Sequence, residues 1–397
     1  MKTVNQKNKM LGEKRSVIRE IFEYAKARSA EIGGENVFDF SIGNPSVPAP
    51  AEVNETIRAL TENMPSVALH GYTSAQGDFS VRKTIADYIN LRFQTKLTAD
   101  NLYMTCGAAA SLTICMHALT VAGEEVVTFA PYFTEYKVFA EGAGCTLKVV
   151  PPDEKLLPDF AAFEAAITPK TRIVLYNSPN NPSGVVYDEA TVKRIAEILE
   201  RKQQEYGTEI YLIADEPYRE LVYDAKTKVP YVMNYYQNSL VCYSYSKALS
   251  LPGERIGYIA VNSDMGGWKE VYAAVCGAGR SLGYVCAPAL MQRVVAACVD
   301  KTSDISVYKT NRDLFYNALT SYGFEVVYPD GAFYLFMKSP EKDAYAFYER
   351  AKKYELLLVP ADDFGVNGYV RLAYCVAPDT IKRALPAFEK LAKEYNL

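Results

Sequence analysis

Four short segments hold residue types able to bind a phosphate, form an imine and move a proton. In SYSKALSLPGERIGY (residues 244–258), Lys247 follows a strand-like run, Ser244 and Ser246 lie just before it, and Arg255 comes eight residues later. A lone lysine is ordinarily a solvated surface charge. Two hydroxyls and a guanidinium beside it make a dianion site instead, because arginine meets phosphate oxygens with paired N–H donors. An amine next to a bound phosphate and an aldehyde forms a Schiff base. In ADEPYRELVY (214–223), Asp215 ends the apolar run IYLIA. Two roles are open to this carboxylate: capping a following helix, or pairing with a protonated pyridine nitrogen. The second keeps a ring cationic and able to accept electrons from a carbanion. Tyr218, three residues on, is spaced to hydrogen-bond a ring hydroxyl. NSPNNPSGVVY (177–187) has the composition of a turn, and the Asn181 side-chain amide is a second donor for that ring oxygen, where it would lower the imine pKa. In TCGAAASL (105–112), Gly107 closes a strand and a helix opens at once, so the amides of Ala108 and Ala109 would face an anion.

Two further residues carry alternatives, evenly weighted for Arg371 and leaning to the core for Phe133 taken alone. Phe133, in APYFTEY, is either a stacking face for a ring or a core aromatic. Arg371, in GYVRLAYC (368–375), sits inside an apolar strand, and a buried charge calls for a partner. A substrate carboxylate gripped by two N–H groups would supply one; an internal salt bridge is the other choice.

These residues fall at strand ends. The runs LYMTC, EVVTFA, CTLKVV, RIVLYN, IYLIAD, LVCYSYS and IGYIAV read as strands, with helix-like runs over 108–120, 133–142, 159–167 and 188–205 between most of the early ones. Such intervals suit crossover connections, so an α/β fold is expected: a large domain with a mostly parallel, seven-stranded sheet between helices. Ligands of open α/β sheets lie beyond the carboxyl ends of the strands. After about residue 285 the pattern becomes α+β, with a long helical stretch from Pro288 to Ser321, short strands in FEVVYP, AFYLFM, LLLVP and YVRLAY, and helices near 342–354 and 378–394. An amphipathic helix over 16–31 precedes FDFSIGNPSVPAP, which reads as a loop. The expected division is an N-terminal segment 1–45 packing with the small domain, a large domain 46–287 and a small C-terminal domain 288–397. The smaller α+β domain is thus made from both chain ends.

Composition removes several function classes. With 397 residues, 49% hydrophobic and 23% charged, the chain reads as an ordinary globular protein too long for one core. A net charge of -4 offers no footprint for nucleic acid. No run is apolar enough to span a bilayer and the N-terminus resembles no signal peptide, so no membrane partner and a cytoplasmic location are expected. The eight cysteines form no C-x-x-C pair or zinc-type spacing, so reduced thiols and no metal are expected. Only two histidines occur, His70 and His117, the latter read as a core residue, which disfavours a Ser-His or Cys-His hydrolase.

Taken together the segments resemble the class I/II aminotransferases of pyridoxal-phosphate (PLP) fold type I, the aspartate aminotransferase-like superfamily. The likeness runs in order from FSIGNP to RLAYC, and S-x-S-K with Arg eight positions on, D-x-x-Y and N-P-[ST]-G are jointly specific. It implies that Lys247 binds the cofactor and shuttles the α-proton, and that Asp215 faces the pyridinium with Tyr218 and Asn181 on the ring oxygen. It further implies that Ser244, Ser246, Arg255, Ala108 and Ala109 form the phosphate cup and that Phe133 stacks on the ring. Arg371, helped by the Gly43 backbone, would clamp the α-carboxylate. Tyr72, in HGYTSAQGDFSVR, resembles the tyrosine that reaches the neighbouring subunit's phosphate, which implies a homodimer with shared active sites. The chain departs from many relatives at Ala109 and Ala110, where larger or polar residues occur, and at Ala361 in VPADDFG, where glycine is frequent.

The resemblance implies ping-pong transfer of an amino group from an amino acid (aspartate, aromatic or broad) to a 2-oxo acid. The alternative is a PLP-dependent C–S β-lyase of cystathionine or cystine type on the same site. A non-catalytic sensor fused to a DNA-binding head is disfavoured by the short segment before residue 40, and an NAD(P) enzyme by the lack of G-x-G-x-x-G after the early strands. A second cation for a dicarboxylate substrate has one candidate, Arg280 in GAGRSLGY, whose other reading is a surface or interdomain charge.

Overall fold

Strands buried on both faces show as unbroken apolar runs, and the seven expected in the first two thirds of the chain all form. The computed structural model describes residues 4–13 and 16–397. The chain divides into two units: Val47–Ser306 with Asp330–Ala332, and Met1–Ser46 with Val307–Pro329 and Phe333–Leu397.

In chain order the first strand, β1 (Phe38–Asp39), belongs to the smaller unit. The larger unit contains β2 (Leu102–Thr105), β3 (Glu125–Phe129), β4 (Thr146–Val150), β5 (Thr171–Asn177), β6 (Tyr211–Asp215), β7 (Ser239–Ser244) and β8 (Gly257–Val261). They form one sheet in the order β2-β8-β7-β6-β5-β3-β4. The pairs β4–β3, β3–β5, β5–β6 and β6–β7 are parallel, while β8 runs against both its neighbours. Strands β2, β7 and β8 are buried along their whole length, as helices on both faces require. Edge strand β4 has two exposed residues, Thr146 and Val149. Helices of the larger unit have defined starts. Asp78 caps Phe79–Phe93, and Asp188 caps Glu189–Tyr206, which ends on left-handed Gly207.

The smaller unit carries β9 (Val326–Val327), β10 (Tyr334–Lys338), β11 (Leu356–Leu357), β12 (Val359–Pro360) and β13 (Tyr369–Ala373). Four of them make a sheet in the order β12-β13-β10-β9, antiparallel throughout, and β11 pairs in parallel with β1. Helices Gln6–Glu13, Val17–Ile32, Ser306–Ser321 (from Val307 onward), Ala344–Lys352 and Pro378–Glu394 belong to the same unit.

Four expectations are corrected. The stretch from Pro288 to Ser321 is two helices, Ala289–Ala297 and Ser306–Ser321, with a non-helical segment between them. The first of these packs on Ala51–Asn63 and Phe79–Phe93, so residues 288–306 group with the larger unit, where a boundary at 287/288 had been expected. FDFSIGNPSVPAP is not all loop, because Phe38–Asp39 forms a strand on Leu356–Leu357. His117 is half-buried in the last turn of its helix, not packed in the core.

Candidate active site

The parallel register aligns the chemistry-bearing residues along one edge of the larger sheet. Asn177 at the end of β5 pairs with Asp215 at the end of β6, and Asp215 pairs with Cys242 in β7. Ser244, two residues further, pairs with Gly257 of β8, which pairs with Thr105 of β2. Lys247 follows within a single helical turn, Tyr245–Ala248, and is half-buried. The expected residues from β2, β5, β6 and β7 therefore meet at the carboxyl ends of those strands.

Asp215 caps no helix; the residues after it form a turn. Its Oδ2 accepts a hydrogen bond from the Tyr136 hydroxyl at 2.6 Å. Its Oδ1 is buried with no hydrogen-bond partner among the described residues. A buried carboxylate oxygen without a donor is costly. Burial pushes the carboxyl pKa up to about 7; the Tyr136 bond opposes the rise and the neighbouring Glu216 charge adds to it. The orphan oxygen calls for a donor, and a protonated ring nitrogen is one.

The loop 177–187 is tied to this edge by its own side chains. Asn177 Nδ2 donates to the Asp215 carbonyl at 2.8 Å, and the Asn181 backbone N–H donates to Asn177 Oδ1 at 2.7 Å. Asn180 Nδ2 donates to the Pro131 carbonyl at 3.1 Å, joining the loop to the segment that carries Phe133. Phe133 is half-buried, its ring edge-on to Tyr136 at 5.7 Å. Tyr218 is buried in the turn after β6.

A cradle for an anion lies beside them. Gly107 precedes helix Ala108–Leu119 with φ +91, and no side chain caps that helix. A Cβ on Gly107 would come within 3.0 Å of Arg255 Nη2, so the guanidinium stands against the helix start. Ala108 is half-buried and Ala109 exposed there. Ser244 donates its hydroxyl hydrogen to Ser246 Oγ at 2.7 Å, and both serines are buried. First-turn amides, two hydroxyls and a guanidinium are a donor set for phosphate. Donor set and orphan carboxylate together fit a phosphorylated pyridine.

Over residues 35–388 the chain matches the model of the family described as "Aminotransferase class I and II". The chain belongs to that family. A probable aspartate aminotransferase of Methanocaldococcus jannaschii is 31% identical, the match covering 95% of this chain and 97% of the relative. An aspartate/prephenate aminotransferase of Thermus thermophilus is 28% identical over 92% and 94% of the two chains. The crystal structure of an aminotransferase from Eubacterium rectale superposes with a TM-score of 0.98 at 56% identity, covering both chains fully. The chain is a PLP-dependent aminotransferase acting on amino acids and 2-oxo acids. Nothing among these relatives favours the C–S lyase.

In this aminotransferase, the remaining expected residues lie in other surroundings. Arg371 is at the centre of β13, 2% exposed, between the rings of Tyr334 at 4.7 Å and Phe364 at 5.3 Å, and donates through Nη2 to the Ser41 carbonyl. Gly43 is held against Tyr334, whose hydroxyl occupies the space a Cβ would need. Tyr72 is 98% exposed, and Arg280 is exposed in the last turn of Trp268–Leu282. Sequence reasoning missed Tyr136, Ser41 and Tyr334. Tyr136 had one available signal, its place three residues after Phe133 at the start of a helix.

No helix is long and apolar enough to cross a membrane, and no metal-binding cluster occurs among the described residues.

Proposed function

We propose that the larger unit holds PLP through Lys247, with Asp215 on the ring nitrogen, Tyr218 and Asn181 on the ring oxygen, and Phe133 on the ring face. The phosphate is assigned to Ser244, Ser246, Arg255 and the amides of Ala108 and Ala109. The single observation that carries this reading is the buried, donor-less Oδ1 of Asp215 on the same strand edge as Lys247.

The bound cofactor supplies an aldehyde carbon that takes up the amino group and a cationic ring that stores the electrons of the broken C–H bond. Asp215 keeps the ring nitrogen protonated by offering a carboxylate that solvent does not screen. With the cofactor bound, Lys247 Nζ would be the amine that holds it and would carry the proton taken from the substrate α-carbon. Arg371 receives the substrate α-carboxylate with two parallel N–H donors, helped by the Gly43 backbone. The order is ping-pong: an amino acid enters and leaves as a 2-oxo acid before a second 2-oxo acid enters and leaves as an amino acid.

Aspartate, aromatic or broad specificity is the substrate proposal, supported by relatives named for aspartate and for aspartate/prephenate. Arg280 is the candidate for a second carboxylate. Half-reaction spectra with a panel of amino acids test it: Arg280→Ala should weaken acidic substrates more than neutral ones, and an equal effect on both removes Arg280 from the proposal. A homodimer sharing its sites through Tyr72 and a cytoplasmic location belong to the same reading. The eight cysteines, all free thiols, suit a reducing compartment.

Lys247→Ala is expected to lose the cofactor's bound absorbance and amino transfer together. Full turnover by that variant refutes the assignment.

A further inference from the structure

An arginine has a long flexible stem, so a buried guanidinium that must meet a planar carboxylate needs something to fix it. Packing between Tyr334 and Phe364 limits its swing, and the hydrogen bond from Nη2 to the Ser41 carbonyl sets its direction. Ser41 is itself fastened. Its backbone N–H donates to Asp39 Oδ1 at 2.8 Å, and its hydroxyl donates to the same oxygen at 2.6 Å. Those two bonds hold the Ser41 backbone and χ1, and hence the direction in which its carbonyl points.

The neighbouring residue is stitched on both sides. The Phe40 N–H donates to the Leu357 carbonyl at 3.1 Å, and the Ala373 N–H donates to the Phe40 carbonyl at 2.8 Å. The carboxylate thus acts on a segment whose other freedoms are already removed. Burial raises the Asp39 pKa, while the Ser41 bonds and the charge of Arg371 favour its ionised form.

We propose that Asp39 is a positioning residue for substrate recognition: by holding Ser41 through two hydrogen bonds, it fixes the carbonyl that aims Arg371 at the α-carboxylate. This rests on the reading of Arg371 given above and adds a residue that touches neither substrate nor cofactor. The chemistry recognised is the α-carboxylate common to amino acids and 2-oxo acids, so both half-reactions should feel the change equally.

The test uses the holoenzyme and its Asp39→Ala, Asp39→Asn, Ser41→Ala and Arg371→Ala variants. Asp39→Ala should raise KM for both amino acid and 2-oxo acid about tenfold with kcat changed far less, the pattern of lost binding and not lost chemistry. Spectral binding of the 2-methyl analogue of the best amino-acid substrate, which has no α-proton to lose, should weaken by the same factor. Asp39→Asn keeps an acceptor oxygen and should recover most of the loss. Ser41→Ala, which removes only the hydroxyl bond, should fall between and serves if Asp39→Ala does not fold. Bound-cofactor absorbance should be unchanged in all of them. An Asp39→Ala enzyme with wild-type KM and wild-type analogue binding overturns the inference, as does a fall in kcat alone. If Arg371→Ala raises KM while the Asp39 and Ser41 variants do not, only the positioning role falls; if Arg371→Ala also leaves KM unchanged, the carboxylate assignment falls with it.

Discussion

Asp215 has one oxygen satisfied and one waiting. Tyr136 holds Oδ2, and its phenol is itself pushed to a higher pKa by burial and by the carboxylate it faces. Tyr136→Phe should raise the Asp215 pKa further, because the bond favours the ionised form, and weaken cofactor binding by about tenfold in an absorbance titration. Unchanged affinity would detach Tyr136 from the site. The same carboxyl gives the cofactor-free protein a pH signature. Asp215 ionises near 3.9 in an unfolded chain and at about 7 in the folded one. Between those values the folded state holds the extra proton, so its contribution to stability is whole below about pH 4, declines as pH rises and is gone above about pH 7. Asp215→Asn should remove that slope from a plot of Tm against pH, and a variant with the parent's slope would contradict the assignment.

Elements carry these side chains by register, and register was partly legible. Runs such as IYLIAD and LVCYSYS announce themselves because both sheet faces are covered, leaving no polar alternation to blur them. Asp215 and Lys247 could be placed at strand ends from that alone. Tyr136 could not be found this way, since its bond to Asp215 joins residues 79 apart in sequence. Phe38–Asp39 was unreadable for the same reason, as its partner strand begins at Leu356. The stretch 288–321 misled because CVDKTSDI has no glycine or proline to mark the break. Just beyond Asp215, Glu216 and Arg219 form a buried ion pair whose guanidinium also donates to the Val229 and Pro230 carbonyls and lies 5.0 Å from the Phe93 ring. Arg219→Leu would strand a buried carboxylate and should cost about 3–5 kcal/mol in denaturant unfolding; a loss below about 1 kcal/mol would show the pair to be hydrated and weak. Gly43→Ala should raise KM for all substrates, since a Cβ there displaces Tyr334 and with it the face Arg371 rests on; wild-type kinetics would deny that coupling.

For the whole molecule, the family explains why residues scattered from Gly43 to Arg371 could be read together: the likeness spans nearly the entire chain, and the matched region, 35–388, encloses every residue assigned a role. Tyr72, an aromatic 98% exposed in the single chain, is the side chain for which a partner on a second copy is proposed. Sedimentation should show a dimer, and Tyr72→Phe should weaken PLP affinity several-fold without lowering Tm of the cofactor-free protein. A monomer with full activity would remove the shared-site proposal. The measurement that reaches furthest is borohydride reduction of the PLP-loaded protein followed by peptide mapping. The phosphopyridoxyl group should be found on Lys247 alone, with amino-transfer activity lost in step with labelling. A label on another lysine, or none on a protein that still transfers amino groups, would contradict the assignment of Lys247 and the site built around it.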